Sequence, residues 1–442
     1  MHIRHVTIEN IRRFGGGASK LDLTLPPRGW IVVAGRNGAG KTTFLKVLAL
    51  ALSNTFSHDY TDSLFTWVRP GTATARSRLT LVPTVDDELQ RGVNIVSTRA
   101  ADEELVVGDA WQPIHDVVAH DRESDGNRAF AGPWHDTPRG WFAAGYGANR
   151  RLLGQASAIE AWAQTTSREG AFLTLFRDDA SLTHPIRWLM DLDYRRLDPH
   201  VRTADRDDAK GLIDGVISLL NDELLGDIEV MGVDSRGLSV TQEGQRLSIF
   251  NFGAGAQILA ALVVDLLRHM HARFGALRFE REGARTVVPH SGVILLDEAE
   301  AHLHPAWQRR IGFWFKEHFP NIQFIVSTHS PFICQAADPG GLIRLPAPGE
   351  DGAPAHLTGD AFQTVVNGGA DDAVLSQLFG LEQSHSRESE RMRERVATLE
   401  VKELRGKLTA LERKELRGLR ARLPKTGHTL VEQTLRKVKA DL

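Results

Sequence analysis

An eight-residue segment, GRNGAGKT at residues 35–42, has the spacing of a phosphate-binding loop. It lies between the apolar run GWIVVA and the helical pattern KTTFLKVLALAL, which is the strand–loop–helix setting that this pattern requires. Glycines let backbone N–H groups curve around phosphates, and the helix N-terminus adds partial positive charge. Lys41 would contact the β- and γ-phosphates, and the Thr42 hydroxyl would bind Mg²⁺. The predicted ATP-binding residues are Gly35, Arg36, Asn37, Gly38, Ala39, Gly40, Lys41, Thr42 and Thr43.

Two adjacent carboxylates follow a second apolar run. In VILLDEAEAHLHP, Asp297 and Glu298 come directly after residues 293–296, whose composition predicts a buried strand. Adjacent carboxylates at a strand end are costly unless a cation neutralises them. We therefore predict that Asp297 holds Mg²⁺ through water, together with Thr42. Glu298 is predicted to polarise the attacking water as the catalytic base.

A histidine follows the next strand along the chain. In FIVSTHSP, His329 comes just after an apolar strand that itself follows the Asp-Glu strand. Because the carboxyl ends of parallel strands meet at one edge of a sheet, His329 is expected to face the same crevice as Asp297 and Glu298. We predict that His329 has a catalytic role there, as a hydrogen-bond partner that reports the γ-phosphate.

A parallel sheet is needed to bring these residues together. The runs GWIVVAG, SGVILLDEA and NIQFIVSTHS predict short buried strands, and helices are predicted after the first run, at 258–274 and around 307–318. Residues 156–225 have mainly helical periodicity. The alternation of strands and helices predicts an α/β core with a largely parallel sheet.

The C-terminal part of the chain differs in composition from the rest. LPAPGEDGAPAH is rich in proline and glycine and predicts a linker at 346–358, between an ATPase domain at 1–345 and a helical partner-binding region at 359–442. Residues 385–442 hold 16 Lys and Arg against 9 Asp and Glu, a net charge of +7, which leaves −10 on the remainder. An anionic partner, a self-contact or a solvated helical face would each explain this basic tail.

The overall composition is that of a globular protein, with 42% hydrophobic and 25% charged residues. The lone cysteine, Cys334, excludes an intrachain disulfide and a cysteine zinc site, which fits a reducing cytoplasm. The first ten residues, MHIRHVTIEN, lack the apolar core of a signal peptide. No run approaches the roughly 20 apolar residues of a membrane helix, so we expect a cytoplasmic protein without membrane contact.

Together, the three motifs resemble the head domain of ABC-type ATPases. DEAEAHLHPAWQ and VSTHSPF are most similar to the ABC-type ATPases grouped with overcoming-lysogenisation (OLD) nucleases and SMC-like proteins, over residues 1 to about 344. The resemblance implies an ABC-type P-loop head with a helical insertion at about 156–225, and ATP and Mg²⁺ as cofactors. Two C-terminal segments, VVNGGADDAVLSQLFGLE and VKELRGKLTALERKELRGLRARLP, are similar to the PtuA-like ATPases of Septu and retron-linked anti-phage systems.

The same resemblance gives a role to FGAGAQ, which begins a helical pattern upstream of the Asp-Glu strand. ABC-type ATPases carry a signature loop there, which binds the γ-phosphate held by a second subunit. The resemblance assigns that loop to Gly253, Ala254, Gly255 and Gln257, and it implies a homodimer or higher homo-oligomer. Gly253 stands where the family has serine, so a hydroxyl is missing, and we expect weak closure on ATP and slow hydrolysis.

The resemblance to PtuA-like ATPases implies a sensor or regulator that acts with a separate effector nuclease of the HNH type (PtuB-like). OLD nucleases carry an Asp-x-Asp pair in their own nuclease domain, and the residues after His329 contain none. We therefore expect an ATPase without its own nuclease.

Two other functions remain open. A RecF-like DNA-repair ATPase would bind DNA directly, and an ATP-gated scaffold would bind nucleotide with little hydrolysis. A transporter ATPase is disfavoured by the degenerate signature loop and by the insertion and tail, which are foreign to that class. A neighbouring gene for a small HNH protein would separate the defence function from DNA repair.

Overall fold

A computed structural model describes the chain at residues 1–53, 67–72, 75–88, 105–111, 119–120, 139–150, 168, 170–178, 180, 182–350, 352–376, 378 and 386–423. The described strands are β1 (His2–Glu9), β2 (Leu21–Thr24), β3 (Gly29–Ala34), β4 (Ala75–Val82), β5 (Leu105–Trp111), β6 (Ala119–His120), β7 (Ala143–Tyr146), β8 (Glu229–Asp234), β9 (Gly237–Gln242), β10 (Gln245–Ser248), β11 (Glu280–Glu282), β12 (Arg285–Val287), β13 (Gly292–Leu296), β14 (Ile322–Thr328), β15 (Leu342–Arg344) and β16 (Ala355–His356). The described α-helices are α1 (Lys41–Ser53), α2 (Leu173–Phe176), α3 (Thr183–Leu197), α4 (Thr203–Asn221), α5 (Ala254–Phe274), α6 (Pro305–His318), α7 (Pro331–Cys334), α8 (Gly359–Asn367), α9 (Ala370–Leu375), α10 (Arg387–Leu404) and α11 (Ala410–Arg422).

The central sheet has six strands in the order β16-β15-β3-β14-β13-β7. Strand β3 pairs in parallel with β14 and β15, and β13 pairs in parallel with β14 and β7. Among the described strands of this sheet, only β16, at one edge, runs antiparallel. The predicted α/β fold with a largely parallel sheet is therefore confirmed, and the ends of β3, β13 and β14 lie side by side.

Both faces of the central sheet are buried, which explains why its strands are continuous apolar runs. In β3, Trp30 and Val32 contribute to the core on one face, and Ile31 and Val33 to the core on the other. The alternation follows from the two-residue repeat of a strand. The second face is covered by α1 and by an antiparallel sheet in the order β2-β1-β4-β5-β6.

The predicted helical insertion is partly described. Its residues 156–167 lie outside the described part of the chain, whereas α3 and α4 fall within the predicted range. The two helices share the first core with α5 through apolar side chains such as Leu189, Val216 and Leu262. The segment after the insertion forms the antiparallel sheet β10-β9-β8, which is also packed on that core.

The predicted linker at 346–358 does not separate two units. Its residues 355–356 form β16, which pairs with β15, and α8 and α9 add Phe362, Val365 and Ala373 to the first core. The compact unit accordingly runs from Met1 to Gly380, beyond the predicted boundary. Proline and glycine mark turns in this segment, but apolar side chains on both sides of the turns keep it packed on the sheet.

The second unit spans Leu381–Leu442 and is described at residues 386–423. It is a helical hairpin of α10 and α11 around a small core of Leu399, Leu408 and Leu416. The Arg395 guanidinium donates to both carboxylate oxygens of Glu415, at 2.8 and 2.9 Å. In the described parts of both units, no helix is both long and apolar enough to span a membrane.

Candidate nucleotide-binding site

The phosphate-binding loop joins the end of β3 to the start of α1, as predicted. Gly38 and Gly40 have left-handed backbone angles, with φ values of +76° and +96°, which residues with a Cβ rarely adopt. Gly35 is required by close approach, because a Cβ there would lie 2.8 Å from the carbonyl oxygen of Leu345. The loop is exposed at Arg36, Asn37 and Gly38, and it becomes buried again at Ala39 and Thr43.

Lys41 lies inside the loop, with only 6% of its surface exposed. Its ammonium donates to the carbonyl oxygens of Gly35, at 2.9 Å, and Arg36, at 3.4 Å. Burial lowers the pKa of Lys41, and the nearby carboxylates of Asp297 and Glu298 oppose that shift. The ammonium is therefore held within the loop, where it can contact phosphates bound by the backbone amides.

Thr42 and Asp297 meet across the site. The Thr42 hydroxyl donates to the Asp297 carboxylate, with distances of 2.8 Å to Oδ2 and 3.1 Å to Oδ1. Hydroxyl and carboxylate oxygens are the hard ligands that Mg²⁺ takes beside water and phosphate oxygens. This donor set fits Mg²⁺, with Thr42 and Asp297 as the residues that would hold it.

Ser327, near the end of β14, links the two acidic residues and was not predicted. Its hydroxyl donates to Oδ1 of Asp297 and accepts from the backbone N–H of Glu298, at 2.8 Å. Glu298 itself is half-buried and has a left-handed φ of +45°, which turns the chain sharply after β13. The turn gives the Glu298 side chain a direction different from the one it would have in a continued strand.

His329 is placed by a third carboxylate, that of Glu300, which was also not predicted. The Thr328 hydroxyl donates to Oε2 of Glu300 at 2.6 Å, and the backbone N–H of His329 donates to Oε1. The His329 ring is exposed at the mouth of β14, and partial burial and the positive charge of Lys41 lower its pKa. A neutral imidazole at neutral pH can donate one hydrogen bond and accept another.

Arg13 connects the loop to the segment after β15. Its guanidinium donates to the carbonyl oxygens of Gly38, at 3.4 Å, and Pro346, at 2.9 Å, and also to that of Ala347. A Cβ on Gly38 would lie 3.3 Å from Cγ of Pro348. The predicted linker thus begins as one wall of the candidate site. The sequence gives only a weak signal for this contact with the phosphate-binding loop, because the prolines and glycines after β15 indicate only turns.

The predicted signature loop begins α5 as expected, but its residues differ in environment. Gly253 is the exposed N-cap and Ala254 the exposed first residue of the helix. Gly255 is buried, and a Cβ there would lie 2.5 Å from the Trp307 ring. The Gln257 amide donates to the carbonyl oxygens of Phe250, at 3.1 Å, and Phe252, at 2.7 Å, so it braces its own loop. Gly255 therefore has a packing role that does not depend on any ligand.

The structure brings together the loop at 35–42, Asp297, Glu298 and His329. The described hydrogen bonds of the Gln257 side chain stay within the segment that precedes α5. His304, which also follows the acidic pair, caps α6 by accepting from the N–H of Ala306 at 3.3 Å. Among the described residues, no cluster of three or more His, Cys, Asp or Glu side chains could hold a metal.

Comparison with known families decides the class of the domain. Residues 31–335 match the family described as "AAA domain, putative AbiEii toxin, Type IV TA system". The chain belongs to this AAA-domain family. The match extends from within β3 to just beyond α7, so it includes the phosphate-binding loop, the acidic turn and His329. The predicted P-loop ATPase class is thereby confirmed.

Curated relatives are proteins of retrons and Septu systems. The chain is 40% identical over 96 residues to the "Retron Vc95 probable ATPase" of Vibrio cholerae serotype O1 biovar El Tor, covering 22% of this chain and 17% of that protein. It is 34% identical over 110 residues to the "Septu protein PtuA" of Bacillus thuringiensis, covering 25% and 27%. A second PtuA, from Bacillus mycoides (strain KBAB4), is 24% identical over 316 residues, covering 71% and 36%. These matches span well under half of the relatives' own lengths. They confirm the resemblance to the PtuA-like ATPases.

Among solved structures, the chain is similar to the "SmcHead bound to the C-winged helix domain of ScpA", with a TM-score of 0.47 and 14% identity, covering 81% of this chain and 97% of that one. It is also similar to the "SMC head domain from Thermotoga maritima", with a TM-score of 0.43 and 14% identity, covering 81% and 100%.

Proposed function

We propose that this protein binds and hydrolyses ATP and that it acts as the sensor or regulator of a separate effector nuclease in anti-phage defence. The observation that carries the ATPase part is the convergence of Thr42 and Asp297 within 2.8 Å, beside the buried Lys41. Phosphate-binding loops and acidic strand ends occur separately in many proteins. Their convergence provides both halves of a nucleoside triphosphate site.

Each residue has a role that follows from its position. The backbone amides of the loop and the Lys41 ammonium bind the phosphates, and α1 directs its N-terminus toward them. Thr42 and Asp297 would hold Mg²⁺, which would supply the positive charge that offsets negative charge on the phosphate oxygens. The Glu298 carboxylate orients the attacking water and accepts its proton. The neutral His329 ring donates a hydrogen bond to the γ-phosphate.

The hydrolysing unit is proposed to be a homodimer with two shared sites. A second copy would supply the exposed N-terminus of α5, at Gly253 and Ala254, to the γ-phosphate bound by the first copy. Two-fold symmetry would then make both sites equivalent. Because Gly253 offers no hydroxyl, its backbone and the helix dipole would supply the contact, and hydrolysis is expected to be slow.

The defence function is supported by the names of the relatives, a retron ATPase and two Septu PtuA proteins. A nuclease partner of the HNH type (PtuB-like) follows from the same resemblance, and we assign its binding to the C-terminal helices. The second candidate is a RecF-like ATPase that binds DNA, and the basic charge of residues 385–442 is the observation that favours it.

Two variants test the ATPase function. Lys41→Ala should abolish tight ATP binding measured by calorimetry. Glu298→Gln should retain ATP binding but lower the hydrolysis rate about 10²- to 10⁴-fold, the usual contribution of a general base. Lys210→Ala changes an exposed lysine on α4 and serves as the matched control. Hydrolysis by Glu298→Gln at the parent rate would overturn the assignment of the base.

A co-purification experiment tests the regulatory function. The tagged protein is expressed together with any HNH-type protein that a neighbouring gene encodes. In a separate experiment, the purified protein is incubated with double-stranded DNA. Co-purification of the nuclease, with loss of phage protection in Lys41→Ala, supports the defence function. Stable DNA binding without the nuclease, and phage protection that is unchanged in Lys41→Ala, would instead favour the repair function.

A further inference from the structure

Arg150 lies at the end of the segment GANR, residues 147–150, which follows β7. Strand β7 pairs in parallel with β13, so this loop and the acidic turn leave the sheet side by side. Only 2% of the Arg150 surface is exposed. The arginine is therefore part of the interior of the site.

The guanidinium of Arg150 binds four backbone carbonyls. Its Nη1 donates to the oxygens of Gly147, at 2.8 Å, and Asp297, at 2.7 Å. Its Nη2 donates to the oxygens of Glu298, at 2.9 Å, and Ala299, at 3.4 Å. Three of these carbonyls are consecutive and belong to the turn that carries the two acidic side chains.

Consecutive carbonyls point away from one another in a strand, and they converge here because Glu298 has a left-handed backbone. That conformation is unfavourable for a residue with a Cβ and persists only when its surroundings fix it. The N–H groups on the opposite side of the turn donate to Ser327: that of Glu298 to the hydroxyl at 2.8 Å, and that of Ala299 to the carbonyl at 3.0 Å. Arg150 and Ser327 thus fix the turn from two sides.

Arg150 is also charged. Burial lowers its pKa to about 10, and the nearby carboxylates of Asp297, Glu300 and Glu298 oppose that shift, so it stays protonated at neutral pH. Buried charges are usually paired with an opposite charge in direct contact. The described hydrogen bonds of Arg150 go to carbonyls instead, which leaves the Asp297 and Glu298 carboxylates available for other partners.

We infer that Arg150 is a positioning residue for the hydrolytic step: it fixes the left-handed turn and thereby aims the Glu298 carboxylate. This inference rests on the proposed ATPase function. It predicts that Arg150 governs the rate of hydrolysis and has little effect on ATP affinity, because phosphate binding depends on the loop at 35–42. Lysine cannot replace it, since one ammonium with three donors cannot span four carbonyls.

The test compares Arg150→Lys and Arg150→Ala with the parent protein. Both should lower kcat about 10- to 100-fold, the usual effect of losing a residue that orients the groups of a site, while KM and the dissociation constant for ATP stay unchanged. Added guanidinium chloride should partly restore kcat in Arg150→Ala and should not do so in Arg150→Lys. Restoration of this kind would not occur if the arginine served stability alone.

Arg168 offers a matched control. Its guanidinium also donates to backbone carbonyls, those of Leu52, at 3.1 Å, and Trp141, but it does not contact the acidic turn. Arg168→Lys should lower the melting temperature without lowering kcat. An equal loss of kcat in Arg168→Lys, or an unchanged kcat in Arg150→Lys, would overturn the inference.

Hydrogen exchange separates this inference from the ATPase assignment. In Arg150→Lys, the amides of residues 297–301 should exchange faster while those of β3 and β14 stay protected. Unchanged protection at 297–301 overturns the positioning role even if ATP is hydrolysed. Absence of hydrolysis in the parent protein, together with faster exchange at 297–301 in the variant, would reject the ATPase function and retain Arg150 as the residue that fixes the turn.

Discussion

The Thr42 hydroxyl lies 2.8 Å from Oδ2 of Asp297, although 255 residues separate the two along the chain. Thr42 is in the first turn of α1, and Asp297 follows β13. The contact exists because β3 and β13 flank β14 in one parallel sheet and end at the same edge. The fold thus places two oxygen donors from distant motifs where one Mg²⁺ could bind both.

Asp297→Asn should therefore remove the Mg²⁺ dependence of ATP binding. The amide keeps the size of the carboxylate but loses its charge, so the affinity for Mg²⁺-ATP should fall about 10-fold or more while binding in EDTA is unchanged. Calorimetry with and without Mg²⁺ measures both values. Asp214→Asn, at an exposed position on α4, is the control and should behave as the parent protein.

Gly255→Ala should destabilise the protein. A Cβ at this position would lie 2.5 Å from the Trp307 ring and 3.1 Å from the carbonyl oxygen of His302, so α5 and the start of α6 must move apart. We expect a loss of about 1–3 kcal/mol in the free energy of unfolding, as for other overpacked sites, measured by urea denaturation. Gly253→Ala is the matched control, because a Cβ there meets nothing within 4 Å. Equal stability of the two variants would contradict the packing role of Gly255.

The two motif strands could be predicted from sequence because each carries its own signal. A buried strand, a sharp turn and a functional residue are contiguous at 29–42 and again at 292–298, and short-range patterns identify both. The two functional segments meet in one crevice because the carboxyl ends of parallel strands lie at the same edge of a sheet. The same reasoning located His329, although not the contacts that position it.

The residues that sequence reasoning missed act through long-range contacts. Ser327 and Glu300 resemble ordinary polar residues until the fold brings them to the acidic turn. The segment at 346–350 was predicted as a linker because its prolines and glycines indicate turns, and turn residues do not reveal which surface a segment packs against. Arg13 shows that surface to be the phosphate-binding loop.

The free energy of unfolding should fall in mild acid, and His269 should account for part of that fall. Burial lowers its pKa to about 4, against 6.5 for the free side chain, and the neighbouring Asp265 and Arg268 act in opposite directions. Between these values the unfolded chain binds the proton and the folded chain does not, so stability present above pH 6.5 is lost as pH falls toward 4. The loss from His269 should amount to up to about 3 kcal/mol.

His269→Gln tests this contribution through urea denaturation at pH 7.5 and pH 4.5. The variant should lose less stability between these pH values than the parent protein does. His200→Gln, at an exposed position, should lose as much stability between pH 7.5 and pH 4.5 as the parent protein does. If His269→Gln and His200→Gln show the same pH dependence, His269 does not contribute.

The hairpin of α10 and α11 exposes apolar side chains that its own core does not use. Leu404 and Leu411 are 85% and 80% exposed, whereas Leu399 and Leu416 are buried within the hairpin. The double variant Leu404→Ser, Leu411→Ser should therefore weaken binding of the effector in co-purification while leaving the helices folded by circular dichroism. Leu399→Ser, in the core of the hairpin, should lose both effector binding and the helical circular dichroism signal. Full retention of the effector by the double variant would assign binding to another surface.

Gly253→Ser should strengthen dimerisation on ATP. The backbone of Gly253 is extended, with φ −62° and ψ 150°, and its position is open, so serine fits without strain and suits a helix N-cap. If α5 of each copy faces the phosphates bound by the other, the added hydroxyl gives one hydrogen bond to a charged group at each of the two sites. Each bond is worth about 1.5–3 kcal/mol, which makes the dimer roughly 10²- to 10⁴-fold tighter. Gly253→Ala adds the Cβ without the hydroxyl and should leave the ATP-dependent dimer unchanged.

Sedimentation equilibrium in the Glu298→Gln background, which is expected to keep ATP intact, measures the dimer constant with and without ATP and Mg²⁺. The gain from Gly253→Ser should appear only with nucleotide. It should also disappear when Lys41→Ala is added, because the hydroxyl then has no phosphate to meet. A gain of equal size without ATP would show that serine only stabilises the start of α5, and a monomer under all conditions would exclude the shared site.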